Sequence, residues 1–329
     1  MTEKAITIQD LTKQFDEKKA VDSLNLEVAK GELFGLLGPN GAGKTTTINI
    51  LCGLVKPTSG LVEVYGYNVQ TETSKVKELI GVCTQETAIY PYLTGAENLE
   101  LFGNLHCMDR KTLKKKSKML LESMGLKDDA KRVTAKYSGG MKRRLSLTLA
   151  LIHDPQVVFL DEPTVGFDIQ TRLRMWGYLR DIKRQGTTIF LTTHYMEEAD
   201  QLSDRISIID HGKIITTGTG TELKNQIGKD IIYLETGDNK AAASILRTLE
   251  SVKGVNEDTE FLRIMIGVDA THILPKIMDM MRQNGIEITA VNIKKPSMDD
   301  VFVHYTGHGL REGGPDETKN ESETEEAAK

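Results

Sequence analysis

The stretch that most constrains this chain is Gly38-Pro39-Asn40-Gly41-Ala42-Gly43-Lys44-Thr45, a G-x-x-x-x-G-K-[ST] loop followed by Thr46. An apolar run at residues 33–37 precedes it and a helical pattern at 45–54 follows. Glycines let the backbone curl until several N–H groups point at phosphate oxygens. The start of a helix adds partial positive charge at the same place. Lys44 would reach the β- and γ-phosphates, and the Thr45 hydroxyl would ligate Mg²⁺. The competing reading is a glycine-rich turn. The strand before the loop and the helix after it are the context that phosphate binding requires.

Around this loop, short apolar runs alternate with helical patterns. Strands are expected at residues 5–11, 24–28, 33–37 and 61–65. Thr94-Gly95-Ala96-Glu97 has the form of a capping box, opening a helix with Leu99, Phe102, Leu105 and Met108 on one side. Another helix should start after Ser138-Gly139-Gly140, with Met141, Leu145, Leu149 and Ile152 at helical spacing. Strands at 157–160, 187–191 and 206–209 then alternate with helices near 171–185 and 196–202. This alternation predicts an α/β fold with a mostly parallel sheet wrapped by helices. An antiparallel β part would precede it, and a helical insertion would occupy about residues 90–150.

A second pattern begins near residue 230. Strands at 231–234, near 255, 261–266 and 286–293, with helices at 240–252 and 271–283, give β-α-β-β-α-β. That is a small ferredoxin-like α+β arrangement. Ser297 should cap a short last helix. Asp299 and Asp300 invite a reading as a catalytic carboxylate pair, but a place in a helix first turn explains them better. The expected organisation is a nucleotide-binding unit at 1–222, an accessory unit at 223–307 and an acidic tail at 308–329.

Charge narrows the partners. The chain carries −5 overall, and residues 311–329 hold seven acids and three bases, leaving −1 for the rest. A nearly neutral body argues against nucleic acid as the main partner. The tail lacks large apolar residues after Leu310 and is expected to be disordered. Arg110-Lys111 and Lys114-Lys115-Lys116 interrupt a helical apolar pattern and read as a solvated helix face. Cys52, Cys83 and Cys107 form no Cys-x-x-Cys, so they read as buried or half-buried thiols rather than a disulfide or zinc framework. No apolar run reaches the length of a membrane span, and no apolar stretch of signal-peptide type follows Met1-Thr2-Glu3-Lys4. A cytoplasmic chain is expected, one that serves a membrane only through a partner.

Further chemistry lies downstream of the loop. Residues 157–160 run into Asp161-Glu162-Pro163, an apolar strand ending in two acids. Ligands of parallel sheets bind at the carboxyl ends of strands. Asp161 would hold Mg²⁺ through water, leaving Glu162 to polarise an attacking water. Four more features follow a fixed order: Gln85 after a strand, Tyr137-Ser138-Gly139-Gly140-Met141 opening a helix, Gly166-Phe167-Asp168 just past the acids, and His194 at a strand end. Singly they read equally well as a surface amide, a cap, a turn and a satisfied histidine.

Jointly, over about residues 4–220, they resemble the ATP-binding cassette (ABC) ATPases. The usual Leu-Ser-Gly-Gly-Gln signature stands here as Tyr137-Ser138-Gly139-Gly140-Met141, its centre intact and its ends changed. The resemblance implies ATP and Mg²⁺ as ligands. It implies Lys44, Gln85, Glu162 and His194 in catalysis, and Thr45, Gln85 and Asp161 at the metal. Ser138, Gly139 and Gly140 would join the nucleotide from the facing copy of a head-to-tail homodimer, and Asp168 is implied as a further nucleotide-binding residue. Phe15 matches the position of an adenine-stacking aromatic, with a core phenylalanine as the alternative. Thr193-His194-Tyr195-Met196-Glu197-Glu198-Ala199 and the segment 296–307 look like the daunorubicin-resistance branch of drug exporters. That branch implies an integral membrane permease as partner, with the chain peripheral on the inner face of the membrane. A P-loop kinase or GTPase would lack Ser138-Gly139-Gly140 and His194. Soluble ABC proteins of translation or DNA repair usually carry two cassettes or a long coiled coil. A soluble ATPase regulated by a ligand on residues 230–306 remains a separate alternative.

Overall fold

The computed structural model describes residues 3–86, 88–258 and 260–307. The expected acidic tail lies outside the described residues. The chain opens with a long hairpin, β1 (Lys4–Phe15) and β2 (Lys18–Ala29), then β3 (Leu33–Leu37) and α1 (Lys44–Leu51). β4 (Ser59–Val64), β5 (Tyr67–Asn68), α2 (Thr73–Leu79) and β6 (Ile80–Cys83) follow. Three helices come next: α3 (Gly95–Leu105), α4 (Arg110–Ser123) and α5 (Gly139–Leu151). The α/β run is β7 (Val157–Asp161), α6 (Ile169–Arg184), β8 (Thr188–Thr193), α7 (Met196–Leu202), β9 (Arg205–Asp210), β10 (Lys213–Gly218) and α8 (Gly220–Ile227). The last elements are β11 (Asp230–Thr236), α9 (Asn239–Leu246), β12 (Val252–Glu257), β13 (Leu262–Ile266), α10 (Ala270–Gln283), β14 (Ile288–Lys294) and α11 (Met298–Thr306).

Three sheets result. An antiparallel sheet has the order β2-β1-β4-β5, and the central sheet has the order β10-β9-β3-β8-β7-β6. The central sheet is parallel except for the β9–β10 hairpin at its edge. β3, β7 and β8 are buried at every residue, as a sheet covered on both faces requires. The third sheet, β12-β13-β11-β14, is antiparallel throughout, the ferredoxin-like order. Among the described residues no helix is long and apolar enough to cross a membrane.

Local signals and their limits are both visible. Thr94 accepts from Glu97 N while the Glu97 carboxylate takes Thr94 N, so the capping box forms. Leu105, expected on the buried side of that helix, is 69% exposed. It sits in the last turn, where α3 leaves the core. The helix expected over 240–252 ends at Leu246. Val252 pairs instead with Ile266 of β13, so sheet pairing overrides helical periodicity. Cys52 and Cys83 are buried, but Cys107 is exposed, in a left-handed turn after α3 with φ 55°. The 222/223 boundary drawn from sequence falls inside α8.

Candidate nucleotide-binding site

β3, β8, β7 and β6 lie side by side, and each delivers a candidate residue from its carboxyl end. β3 runs into Gly38, β8 into His194, β7 ends in Asp161 before Glu162, and β6 leads to Gln85. The topology thus gathers residues that lie more than a hundred positions apart.

The loop after β3 needs its glycines. Gly43 has φ 107°, and a Cβ there would sit 2.4 Å from the Ala20 carbonyl oxygen, so no other residue fits without a shift. This tight wrap places Lys44 at the start of α1, only 5% exposed. Its Nζ donates to Gly38 O at 2.8 Å and Pro39 O at 3.0 Å, and lies 3.1 Å from Glu162 Oε1. Burial pushes the ammonium below the usual lysine range, against the pull of Glu162 and Asp161. Thr45 Oγ1 donates to Asp161 Oδ2 at 2.8 Å, and Thr192 Oγ1 donates to Asp161 Oδ1.

Glu162 is 7% exposed and holds φ 48°. A left-handed conformation costs a non-glycine residue about 1–2 kcal/mol. The turn points its carboxylate back over the phosphate loop, where Oε1 meets His194 Nδ1 at 3.1 Å as well as Lys44. Burial acts to raise the carboxyl, but His194 and Lys44 outweigh it and hold Glu162 below the ordinary range. The group is therefore an anion at neutral pH, able to accept a hydrogen bond from water.

A cleft of about 600 Å³ opens over these groups. Phe15, Asn40, Gly41, Gly43, Lys44, Thr45, Thr46, Gln85, Glu162 and His194 all line it. Phe15 is 47% exposed at the mouth, with Lys13 Nζ 4.6 Å from its ring centroid, so it is not a core residue. Lys18, Ala20 and Val165 line the cleft too, and sequence reasoning did not single them out. Lys18 arrives because it pairs with Phe15 across the β1–β2 hairpin, a register that no motif announces.

Ser138, Gly139, Gly140 and Asp168 do not line this cleft. Ser138 caps α5, its hydroxyl accepting from Met141 N at 3.3 Å. Asp168 caps α6, accepting from Thr171 N at 2.9 Å and Thr171 Oγ1 at 2.6 Å. The altered ends of the Ser-Gly-Gly segment share one neighbour. Tyr137 is buried, its hydroxyl donating to Asp129 O at 2.7 Å, and Arg132 lies over its ring. The same Arg132 donates to Met141 Sδ at 3.1 Å.

A nucleotide-fold sheet with a phosphate loop, strand-end acids and a strand-end histidine defines an ATP-hydrolysing cassette, and the chain belongs to the ABC transporter ATP-binding protein family. The family model described as "ABC transporter" matches residues 21–165, and that of "ATP-binding protein DrrA1-3-like, C-terminal domain" matches residues 218–306. The daunorubicin resistance ATP-binding protein DrrA3 of Streptomyces coeruleorubidus is 41% identical, covering 94% of this chain and 98% of its own. The linearmycin resistance ATP-binding protein LnrL of Bacillus subtilis is 38% identical, covering 92% and 99%. Nod factor export ATP-binding protein I of Ralstonia nicotianae is 34% identical, covering 93% and 95%. Among solved structures, the dimeric post-hydrolysis state of the cassette MJ0796 bound to ADP and Pi aligns at TM-score 0.60 and 26% identity, covering 65% of this chain and 98% of that one.

Proposed function

We propose that this chain is the ATP-driven motor of an exporter for a drug or other amphipathic molecule, working as a pair of copies beneath a separate membrane permease on the cytoplasmic face. The observation that carries the mechanism is the meeting of Lys44 and His194 on one Glu162 oxygen, beside the Thr45–Asp161 contact. The export reading draws support from relatives whose names specify drug resistance and Nod factor export. Their likeness extends through the C-terminal residues, which favours export over a soluble, ligand-regulated ATPase.

The Thr45 hydroxyl and Asp161 carboxylate are hard oxygen donors held together, a pair that suits Mg²⁺, and Gln85 lines the same cleft. When bound, the ion neutralises phosphate charge. Lys44 exchanges its loop carbonyls for phosphate oxygens. Glu162 polarises the attacking water, and His194 fixes the carboxylate and meets the γ-phosphate. Phe15 offers its exposed ring to the adenine. Ser138, Gly139 and Gly140 lie outside their own chain's cleft, so a second copy supplies them to a sandwiched nucleotide. Two such sites follow from one two-fold axis.

Glu162→Gln tests the reading. It keeps size and removes the charge that polarises water, and losing such a group costs roughly 10²–10⁴-fold in rate. The variant should bind Mg·ATP, turn over at least about 100-fold more slowly and accumulate as an ATP-dependent dimer on sizing chromatography. Wild-type turnover would refute the role given to Glu162.

A further inference from the structure

α5 begins at the Ser-Gly-Gly segment, and one turn in it carries Arg143, which is 6% exposed. No carboxylate forms an ion pair with it among the described residues. Its guanidinium instead reaches four backbone carbonyls. Nε donates to Pro163 O at 3.0 Å and Nη2 to Asp161 O. Nη1 donates to Thr84 O and, at 3.2 Å, to Gln85 O.

Two of those carbonyls, from Asp161 and Pro163, bracket Glu162. That residue sits in a left-handed conformation at φ 48°, which a non-glycine chain leaves unless its surroundings fix it. The other two carbonyls belong to the segment that carries Gln85 into the cleft. A planar guanidinium with five N–H donors in a fixed fork can hold two separate backbone segments at once. A lysine ammonium has three donors at one point and cannot span them.

We propose that Arg143 is a positioning residue for hydrolysis: it clamps the backbone on both sides of Glu162, ties that clamp to the Gln85 segment, and fastens both to the helix that opens at Ser138. The inference rests on the role given to Glu162 above. It adds a physical link between the Ser138 end of the chain, which faces the partner's nucleotide, and the carboxylate of the chain's own site. Displacing α5 would carry Glu162 and Gln85 with it. Arg143 does not line the cleft, so its removal should spare binding and impair the chemical step.

The experiment is a double-mutant cycle on the full chain, read by steady-state and single-turnover hydrolysis of Mg·ATP. Arg143→Ala should lower kcat about 10–100-fold, the scale expected when a reacting group shifts by about 1 Å, with KM within about threefold of wild type. Arg143→Lys should recover only part of the loss, because it keeps the charge but not the fork. In the Glu162→Gln background, Arg143→Ala should add less than about threefold, since both changes act through one carboxylate. Arg143→Lys is the deciding variant should the alanine form fail to fold. Wild-type kcat in Arg143→Lys, or a full multiplicative loss in the double variant, would overturn the inference while Glu162→Gln alone remained slow. Wild-type turnover in Glu162→Gln would instead sink the reading on which the inference rests.

Discussion

Glu198 is fully buried, yet it is a carboxylic acid. Its Oε1 accepts from Thr164 Oγ1 at 2.8 Å and Trp176 Nε1 at 3.1 Å. Burial raises its pKa, and hydrogen bonds from Thr193, Thr164 and Trp176 offset only part of that. The side chain therefore ties the turn after Glu162 to the helix after His194. Glu198→Gln preserves the acceptor and should cost little. Glu198→Ala leaves two buried donors unpaired and opens a cavity, so it should destabilise by about 2–4 kcal/mol more in urea unfolding. Equal midpoints for the two variants would contradict this account. At this scale the sequence was most legible where chemistry dictates local backbone. The phosphate loop, Asp161, Glu162 and His194 could be picked out because each follows a recognisable strand. Arg143, Glu198 and Lys18 could not, because their partners come from strand order and hairpin register. Phe15 stood open between core and cleft until its exposure decided it.

Helix ends show the same division between local and distant causes. The boxes at Thr94 and Ser297 were legible because both partners lie within four residues, and Asp300 closes the second through Ser297 N at 2.9 Å. The contact joining the ends of α3 and α5 was not legible. There His106 and His153 stack face to face, with centroids 3.7 Å apart and planes 4° apart. His153 Nε2 lies 2.9 Å from Ile80 O, and Lys116 and Asp154 are the charged groups beside it. Burial, then the neighbouring His106, pushes His153 down to about 4, and burial lowers His106 as well. The folded state thus holds His153 neutral at pH values where the unfolded chain, with an ordinary histidine near 6.5, is protonated. Between about pH 6.5 and 4 the unfolded state binds more protons, so stability must fall as pH falls. Thermal melts over that range should show the decline, and His153→Asn should flatten it. An unchanged slope in His153→Asn would remove this pair as the cause.

At the scale of the molecule, the question is how residues after 227 are fastened to the cassette. Sequence patterning showed a second α+β unit, since its helices and strands each carry their own periodicity. It could not show the junction, because the residues that make it are apolar positions on several elements. Leu37, Met196, Ala199, Ile206 and Ile208 form one buried layer with Leu223, Ile227, Ile231, Met265, Met298, Val301 and Phe302. Leu37 directly precedes the phosphate loop, so the layer reaches beneath the site. α11 packs on α7, α8 and β10. On its other side Asp300 accepts from Tyr233 Oη at 3.0 Å and Arg263 Nη1 at 3.3 Å. A helix held from both sides couples the two parts mechanically. Phe302, 0% exposed, tests the coupling in the full chain. Phe302→Ala should cost about 3–5 kcal/mol, the usual range for a buried phenylalanine. Trp176 is the chain's single tryptophan and is buried in the cassette beside Glu198, so its fluorescence reports cassette unfolding. If the layer joins the two parts into one cooperative unit, Phe302→Ala lowers the urea midpoint read by Trp176. Phe302 does not line the cleft, so ATP turnover at low temperature should stay within about twofold, the scale of a remote substitution. If the C-terminal elements hung loosely from the cassette, only they would unfold early, and the Trp176 midpoint would not move.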